Sequence, residues 1–426
     1  LPIPHSLFPI PKKVKVFSSL DSQTRRGLLI LFATGLFFWC GITTLLGTVP
    51  LYIESVGATK QQIGLVMGAF SLGLLPSRVW FGPLADARGR KLVLIVGSIV
   101  AAIAPLGYLF ADSVPLLAAV RAFHGISIGG FTIGYSALVA DLSPEGRRGE
   151  LIGFMSLVNP IGTALGPAFG SFIQESGGYV PLFVTSAGLG ALSLIGVFLI
   201  EEPDRSLQPQ PKETGDRPLN FGQTLLSRAV SIPTFVMSVG GLIFGTIVSF
   251  LPLYLRQAEI DLSAGWFFTV VAIASLTVRL TTGRASDKYG RGVFITIGLI
   301  CYSLCAGLLW TANSSSAVLL AAVFEGLAAG LIIPITIALM TDRCSPQERG
   351  KFFSICIGGF DVGLAIAGPI FGLLAEEMGY RNMFATNLVL GCLGIVVFCT
   401  LSNQSLSRSF KFALGRAKDV YAIERL

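Results

Sequence analysis

The sequence predicts an all-α membrane protein, with twelve transmembrane helices in two pseudo-symmetric six-helix bundles. Three observations lead there. The 426 residues are 52% hydrophobic and only 13% charged, whereas soluble domains carry ~25% charged residues, so lipid must solvate much of the surface. Apolar stretches of ~20 residues, enough to cross ~30 Å of hydrocarbon at ~1.5 Å per residue, recur between short charged or Gly/Pro-rich connections. Finally, the charged hairpin Gly82-Pro83-Leu84-Ala85-Asp86-Ala87-Arg88-Gly89-Arg90-Lys91 returns 201 residues later as Gly283-Arg284-Ala285-Ser286-Asp287-Lys288-Tyr289-Gly290-Arg291-Gly292. The same offset carries Asp141 onto Asp342, Arg148 onto Arg349, Gly125 onto Gly326 and Tyr179 onto Tyr380. A period this long marks a duplicated domain, since solenoid repeats run ~20 to 50 residues, and parallel duplicated halves are a membrane-transporter architecture.

The first bundle, 27–201, is expected to hold spans at 28–53, 62–84, 91–111, 115–140, 150–175 and 180–200. The first follows Arg25-Arg26 and stops at Glu54; the second runs from Lys60 to the hairpin, whose Gly82 and Gly89 permit a tight turn. The third and fourth are parted by Asp112, and the fifth and sixth by Gly177-Gly178. The second bundle, 229–402, repeats the plan at 230–256, 264–285, 292–312, 316–341, 351–376 and 382–402. A polar stretch with Pro203, Pro209, Pro211 and Pro218 makes 202–228 a flexible linker. Residues 1–26 and 403–426 are the tails.

Basic residues orient the chain. With both termini cytoplasmic, the inner loops hold Arg88, Arg90, Lys91, Arg147, Arg148, Arg284, Lys288, Arg291, Arg343, Arg349 and Lys351, against Lys60, Arg256 and Arg381 outside. Eleven against three is the positive-inside pattern, to which Lys12, Lys13 and Lys15 of the first tail add. The net charge of +7 is therefore topological, and its division among loops excludes a nucleic-acid stripe. The first 26 residues hold no apolar run with a small-residue cleavage site, so the first helix is expected to insert the chain, into a bacterial cytoplasmic (inner) membrane. The seven cysteines, from Cys40 to Cys399, have neither disulfide nor zinc spacing and read as packing residues. No P-loop and no metal cluster appears, so no cofactor and no metal is expected. Gly125-Ile126-Ser127-Ile128-Gly129 fits a nucleophile-elbow pattern but lies in an apolar helix instead of a strand-turn-helix. An enzyme is not expected.

The hairpin at Gly82–Lys91, the Arg121, Gly125 and Gly129 pattern of the fourth span, and Gly162, Gly166, Pro167 and Gly170 of the fifth resemble the motifs of the twelve-helix major facilitator superfamily, in particular its drug/proton antiporters. The likeness covers Gly27 to Leu401. It departs at Ala87, where a basic residue is usual, and at Ser171, where the pattern has glycine. It implies that the hairpin steadies an outward-facing state, giving an inner latch of Asp86, Arg90 and Asp141, repeated as Asp287, Arg291 and Asp342. The fifth-span glycines let helices touch backbone to backbone, as expected for a leak-free seam between the halves; Gly368, Pro369 and Gly372 of the eleventh span follow from the duplication.

Membrane-depth charges identify the candidate site, because each costs ~2.5 to 3.5 kcal/mol at a helix centre. Arg78 and Arg279 are equivalent under the offset and read as structural or snorkelling. The symmetry breaks where Arg121 meets Ala322, His124 meets Glu325 and, allowing a one-residue insertion in the second half, Asn159 meets Asp361 and Glu54 meets Arg256. Glu325, with Asp361 second, is expected to carry a coupling proton whose affinity Arg121 and His124 set, since alternating between an apolar surrounding and a nearby cation lets a carboxyl take up and release a proton. Glu54 and Arg256, ending Pro50-Leu51-Tyr52-Ile53 and Pro252-Leu253-Tyr254-Leu255, are expected to form an outer gate. Trp39, Thr43, Thr44, Asn159, Phe244 and Phe250 are expected in a substrate cavity suited to an amphipathic molecule. The expectation is a monomeric secondary transporter, using alternating access to couple protons to export of a small organic compound. Proton-coupled uptake, passive facilitation and a transporter-like sensor are the alternatives.

Overall fold

The computed structural model of the protein describes residues 20–144, 146–202, 225–345 and 348–423. Lys12, Lys13 and Lys15, the linker prolines Pro203, Pro209, Pro211 and Pro218, and the side chains of Arg284 and Lys351 lie outside them.

The helices are α1 (Ser22–Thr43), α2 (Val49–Ser55), α3 (Lys60–Arg88), α4 (Arg90–Gly107), α5 (Val114–Leu142), α6 (Arg148–Met155), α7 (Val158–Gly177) and α8 (Tyr179–Phe198), then α9 (Arg228–Gln257), α10 (Ala264–Tyr289), α11 (Arg291–Thr311), α12 (Ser315–Asp342), α13 (Arg349–Leu401) and α14 (Leu406–Ala413). Among the described residues eleven helices are long and apolar enough to cross a membrane. The longest, α13, turns at Gly379, where φ is +79°, and so supplies two of the twelve spans.

Glycines at equivalent places make the turns. Gly89 (φ +111°) separates α3 from α4 and Gly290 (φ +94°) separates α10 from α11; Gly178 (φ +81°) does for α7 and α8 what Gly379 does in the second half. A Cβ is strained in these conformations. Gly82, expected in the first turn, instead lies inside α3, which stays helical to Arg88.

Two expected spans are each broken in two. The first stops at Thr43 and resumes at Val49 through a turn with Leu46 N–H donating to Thr43 and Thr48 N–H to Leu45, and Pro50, which has no N–H to donate, stands near the start of α2; its counterpart Pro252 lies inside the unbroken α9. The fifth breaks between Met155 and Val158, one turn ahead of Pro160, and Asn159 sits at the restart.

Each half packs the same way. Tyr52 donates its hydroxyl to the Tyr108 carbonyl at 2.8 Å, and Tyr254 to the equivalent Leu309 carbonyl at 2.9 Å. Such buried hydroxyl bonds replace the water that the groups lose on folding. Arg90 binds Asp141 at 2.7 Å, and Arg291 binds Asp287 at 2.5 Å and Asp342 at 3.2 Å. Each set ties the hairpin to the end of α5 or α12 in its own half. Asp86 lies exposed at the end of α3.

Beyond the last span, α14 packs on the start of α11: Thr296 donates to the Ala413 carbonyl at 3.0 Å, and Gly292 lies against Phe412. Arg343, placed by sequence among the loop charges, is fully buried. It forks onto Asp419 at 2.7 and 3.1 Å and donates to the carbonyls of Ala229 and Ser402. Residues 403–423 are thus docked on the second half.

Candidate transport cavity

The halves meet along α3 with α13 and along α7 with α10. Glycine lets backbones touch on the first seam, where Gly64 lies against Gly368 and Gly68 against Pro369, and Gly372 faces Lys60 and Gln61. On the second, Gly265 fits against Pro167 and Ser171, and Thr269 donates to the Ala164 carbonyl at 2.9 Å. The expected glycine seam is therefore reassigned. Gly162, Gly166 and Gly170 face Trp39, Thr43 and Thr44 of α1 within the first half, because they occupy the side of α7 turned away from α10. The eleventh-span glycines, read as an inheritance of duplication, lie on the seam.

At one end Glu54 and Arg256 form an ion pair across the halves. Near them Lys60 donates to the Ala375 carbonyl at 3.2 Å and Gln61 N–H to Glu376 at 3.3 Å. This end is closed. Toward the hairpin end the space beside Gly82, Gly153 and Gly358 is open.

Between these regions lies a cavity of ≈ 340 Å³, within the ~300 to 1,000 Å³ of small-molecule sites. Trp39, Thr43, Asn159 and Phe244 line it. Thr44 and Phe250 do not. Thr44, one residue and ~100° around the helix from Thr43, is buried with its hydroxyl on the Cys40 carbonyl. Phe250, six residues or ~9 Å beyond Phe244, packs against Tyr380 with centroids 6.0 Å apart.

Asp361 lines the cavity and pairs with Arg78 across the halves, Nε 3.2 Å from its carboxylate and Nη2 donating to it at 3.5 Å. Arg78 is thus an ion-paired cavity residue, not a snorkelling one. Its equivalent Arg279 also faces the cavity, as does Arg121. Arg121 stacks over the Phe70 ring at 4.6 Å and donates to the Tyr108 hydroxyl at 3.5 Å. His124 lies behind it, its Nδ1 3.2 Å from the same hydroxyl.

Glu325 is fully buried but does not line the cavity. It lies by Tyr302 and the Cys305 thiol, and among the described residues neither of its oxygens has an N–H or O–H donor. The expected grouping of Arg121 and His124 around Glu325 is corrected accordingly. A pseudo-two-fold axis sets equivalents in matching places of separate halves, so His124 and Glu325 are counterparts and not neighbours. Sequence reasoning missed Arg78, Arg279 and Tyr302 as cavity residues; their one signal was an ionisable or phenolic group within an apolar span.

Two six-helix halves, related by duplication and enclosing a central cavity with charged walls, define a membrane transporter fold. The chain belongs to the Major Facilitator Superfamily, which it matches over residues 31–284 and 260–415. It is similar to the multidrug resistance protein MdtG of Serratia proteamaculans, 27% identical over 366 residues that cover 83% of this chain and 87% of that one. An uncharacterized MFS-type transporter of Methanocaldococcus jannaschii, MJ1560, is 22% identical over 85% of this chain and 94% of its own. The quinolone resistance protein NorA of Staphylococcus aureus is 29% identical over 42% of this chain and 46% of its own. Among solved structures, a D-xylose-proton symporter superposes with a TM-score of 0.73 at 18% identity, covering 92% of this chain and 99% of that one. A bacterial homolog of the lysosomal transporter Spinster gives 0.70 at 16%, covering 93% and 98%. The chain is a multi-pass membrane transporter of this superfamily.

Proposed function

We propose that the protein exports a small amphipathic organic compound in exchange for protons, by alternating access. The observation that carries this reading is the central cavity, sealed at the Glu54–Arg256 end and bridged by one carboxylate–guanidinium pair between the halves. The ten basic loop residues other than the buried Arg343 favour assigning the hairpin end to the cytoplasm. On that assignment the described state faces inward, with both termini cytoplasmic, and Glu54 with Arg256 acts as the outer gate. The inner latch of Asp86, Arg90 and Asp141, with Asp287, Arg291 and Asp342, then serves the opposite state. Two relatives carry resistance names, which supports export over uptake.

Asp361 is the first candidate for the coupling proton. Protonation there dissolves a charge pair that spans the halves, so proton binding and bundle separation are one event. Glu325 is the second, since its carboxyl is buried without a charged partner among the described residues but stands off the cavity. Everted membrane vesicles containing the protein, energised by respiration, should accumulate a fluoroquinolone above vector controls and lose it on adding a protonophore. Accumulation in right-side-out vesicles would instead mean uptake, and movement indifferent to the protonophore would mean a facilitator.

A further inference from the structure

The charge of the cavity wall carries an inference about substrate class, which rests on reading the cavity as the substrate site. Three arginines, Arg78, Arg121 and Arg279, line it against a single lining carboxylate, Asp361, and that carboxylate is occupied by Arg78. Among the described residues neither Arg121 nor Arg279 has a carboxylate partner. Their Nε atoms and the Tyr302 hydroxyl are buried without any hydrogen-bond partner, and all three residues line the cavity. Guanidinium is protonated at any physiological pH. Unmatched donors and unmatched positive charge on one wall ask for the same thing, an acceptor bearing negative charge.

The sign does not depend on the nearby titratable groups. With Asp361 and Glu325 both ionised the three arginines still leave one positive charge in excess, and protonating either carboxyl, or His124 behind Arg121, only adds to it. Arg121 comes from α5 in the first half and Arg279 from α10 in the second. An anion held by both would bridge the halves, as Asp361 and Arg78 already do. The rest of the lining supplies an apolar bed in Trp39, Met67, Phe244 and Phe360.

We propose that the cavity selects amphipathic organic anions, an oxyanion group between Arg121 and Arg279 with an aromatic or aliphatic body against Trp39 and Phe244. Calorimetric titration of the purified full chain in detergent tests this with three probes on one skeleton, 2-naphthylacetate, its neutral amide and 2-naphthylethylammonium. The carboxylate is expected to bind at least tenfold more tightly than the amide, and the ammonium more weakly still. Arg121→Gln and Arg279→Gln should each weaken the carboxylate fivefold or more without touching the amide, while Arg279→Lys retains most of the affinity and shows that loss of charge, not of fold, is the cause. Equal binding of the three, a preference for the ammonium, or no measurable binding of the carboxylate overturns the anion assignment. Carboxylate binding that resists both Gln variants but falls with all three probes in Phe244→Ala overturns the assignment and leaves the cavity standing as the site. Indifference to Phe244→Ala as well removes the cavity itself, and the proposed function with it.

Discussion

Asp361 and Arg78 come from opposite halves, and their 3.2 Å pair lies in the cavity wall, with the Arg78 side chain 31% exposed and that of Asp361 only 5%. Asp361→Asn mimics the protonated state, so exchange of substrate across a membrane should persist while accumulation driven by a proton gradient is lost. Counterflow and gradient-driven uptake in proteoliposomes separate the two. Because Arg78 keeps access to water, stability should fall only by the ~1 kcal/mol typical of partly exposed pairs. Unaltered gradient-driven accumulation would pass the role to Glu325, where Glu325→Gln is the corresponding test. Glu54 and Arg256 give a second residue-scale prediction. Reversing either charge should slow transport, and swapping the two should restore it; a double swap no better than the worse single change would remove the gate. The membrane-depth charges and the Glu54–Arg256 match were legible because duplication makes unequal residues conspicuous. Arg78 was misread for the same reason. Equal residues at equivalent positions were assumed to have equal surroundings, whereas Arg78 has Asp361 and Arg279 has no such partner among the described residues.

At the scale of helices, small residues serve two different contacts. The α3–α13 seam, where Gly64 meets Gly368, joins the halves beside the closed Glu54 end. Gly166, against Thr43, joins two helices of one half. Gly64→Val should therefore shift the population toward opening of the Glu54 end with little change in melting temperature, and distances between spin labels on the two halves would show it. Gly166→Val should instead lower stability by the ~1 to 3 kcal/mol of an overpacked core; the opposite outcome for the pair would reverse the two assignments. The twelve spans were readable from hydropathy, which reports what faces lipid. Helix breaks at Thr44–Thr48 and before Val158 were not, since apolar residues run straight through both and a proline a few residues on does not by itself mark a break, as α9 runs unbroken through Pro252. Nor does composition reveal which neighbour a glycine faces, because a stripe on a helix serves whichever surface the rest of the fold brings to it.

For the whole molecule, the two halves are alike in their hairpin ties but unlike in how the linker and the last residues secure them. Glu202, just past the first bundle, accepts from the backbone N–H groups of Arg90 at 2.7 Å and Lys91 at 3.4 Å, a carboxylate at a helix N-terminus. Lys91 in return donates to the Ile200 and Phe198 carbonyls at 2.5 and 3.2 Å. Glu202→Ala should cost ~0.5 to 2 kcal/mol, the range for a lost cap, seen as a lower midpoint in thermal unfolding. The second half instead depends on Asp419, and Asp419→Ala should cost more, ~3 to 5 kcal/mol, because it strands the buried Arg343 charge.

That dependence has a consequence for how the chain is made. Arg343 and Asp419 are 76 residues apart, with the last two spans between them, so the guanidinium enters the membrane bundle long before its counter-ion leaves the ribosome. Until then the second half carries an unneutralised charge at its hairpin end, a defect that leaves the chain open to proteolysis. Chains interrupted before residue 419 should be cleared within minutes of synthesis in a pulse-chase experiment while full-length chains persist, and Arg343→Met, which removes the stranded charge, should prolong the life of the interrupted chains. Docking of Asp419 would then act as a proofreading step for translation, marking a nascent transporter as finished.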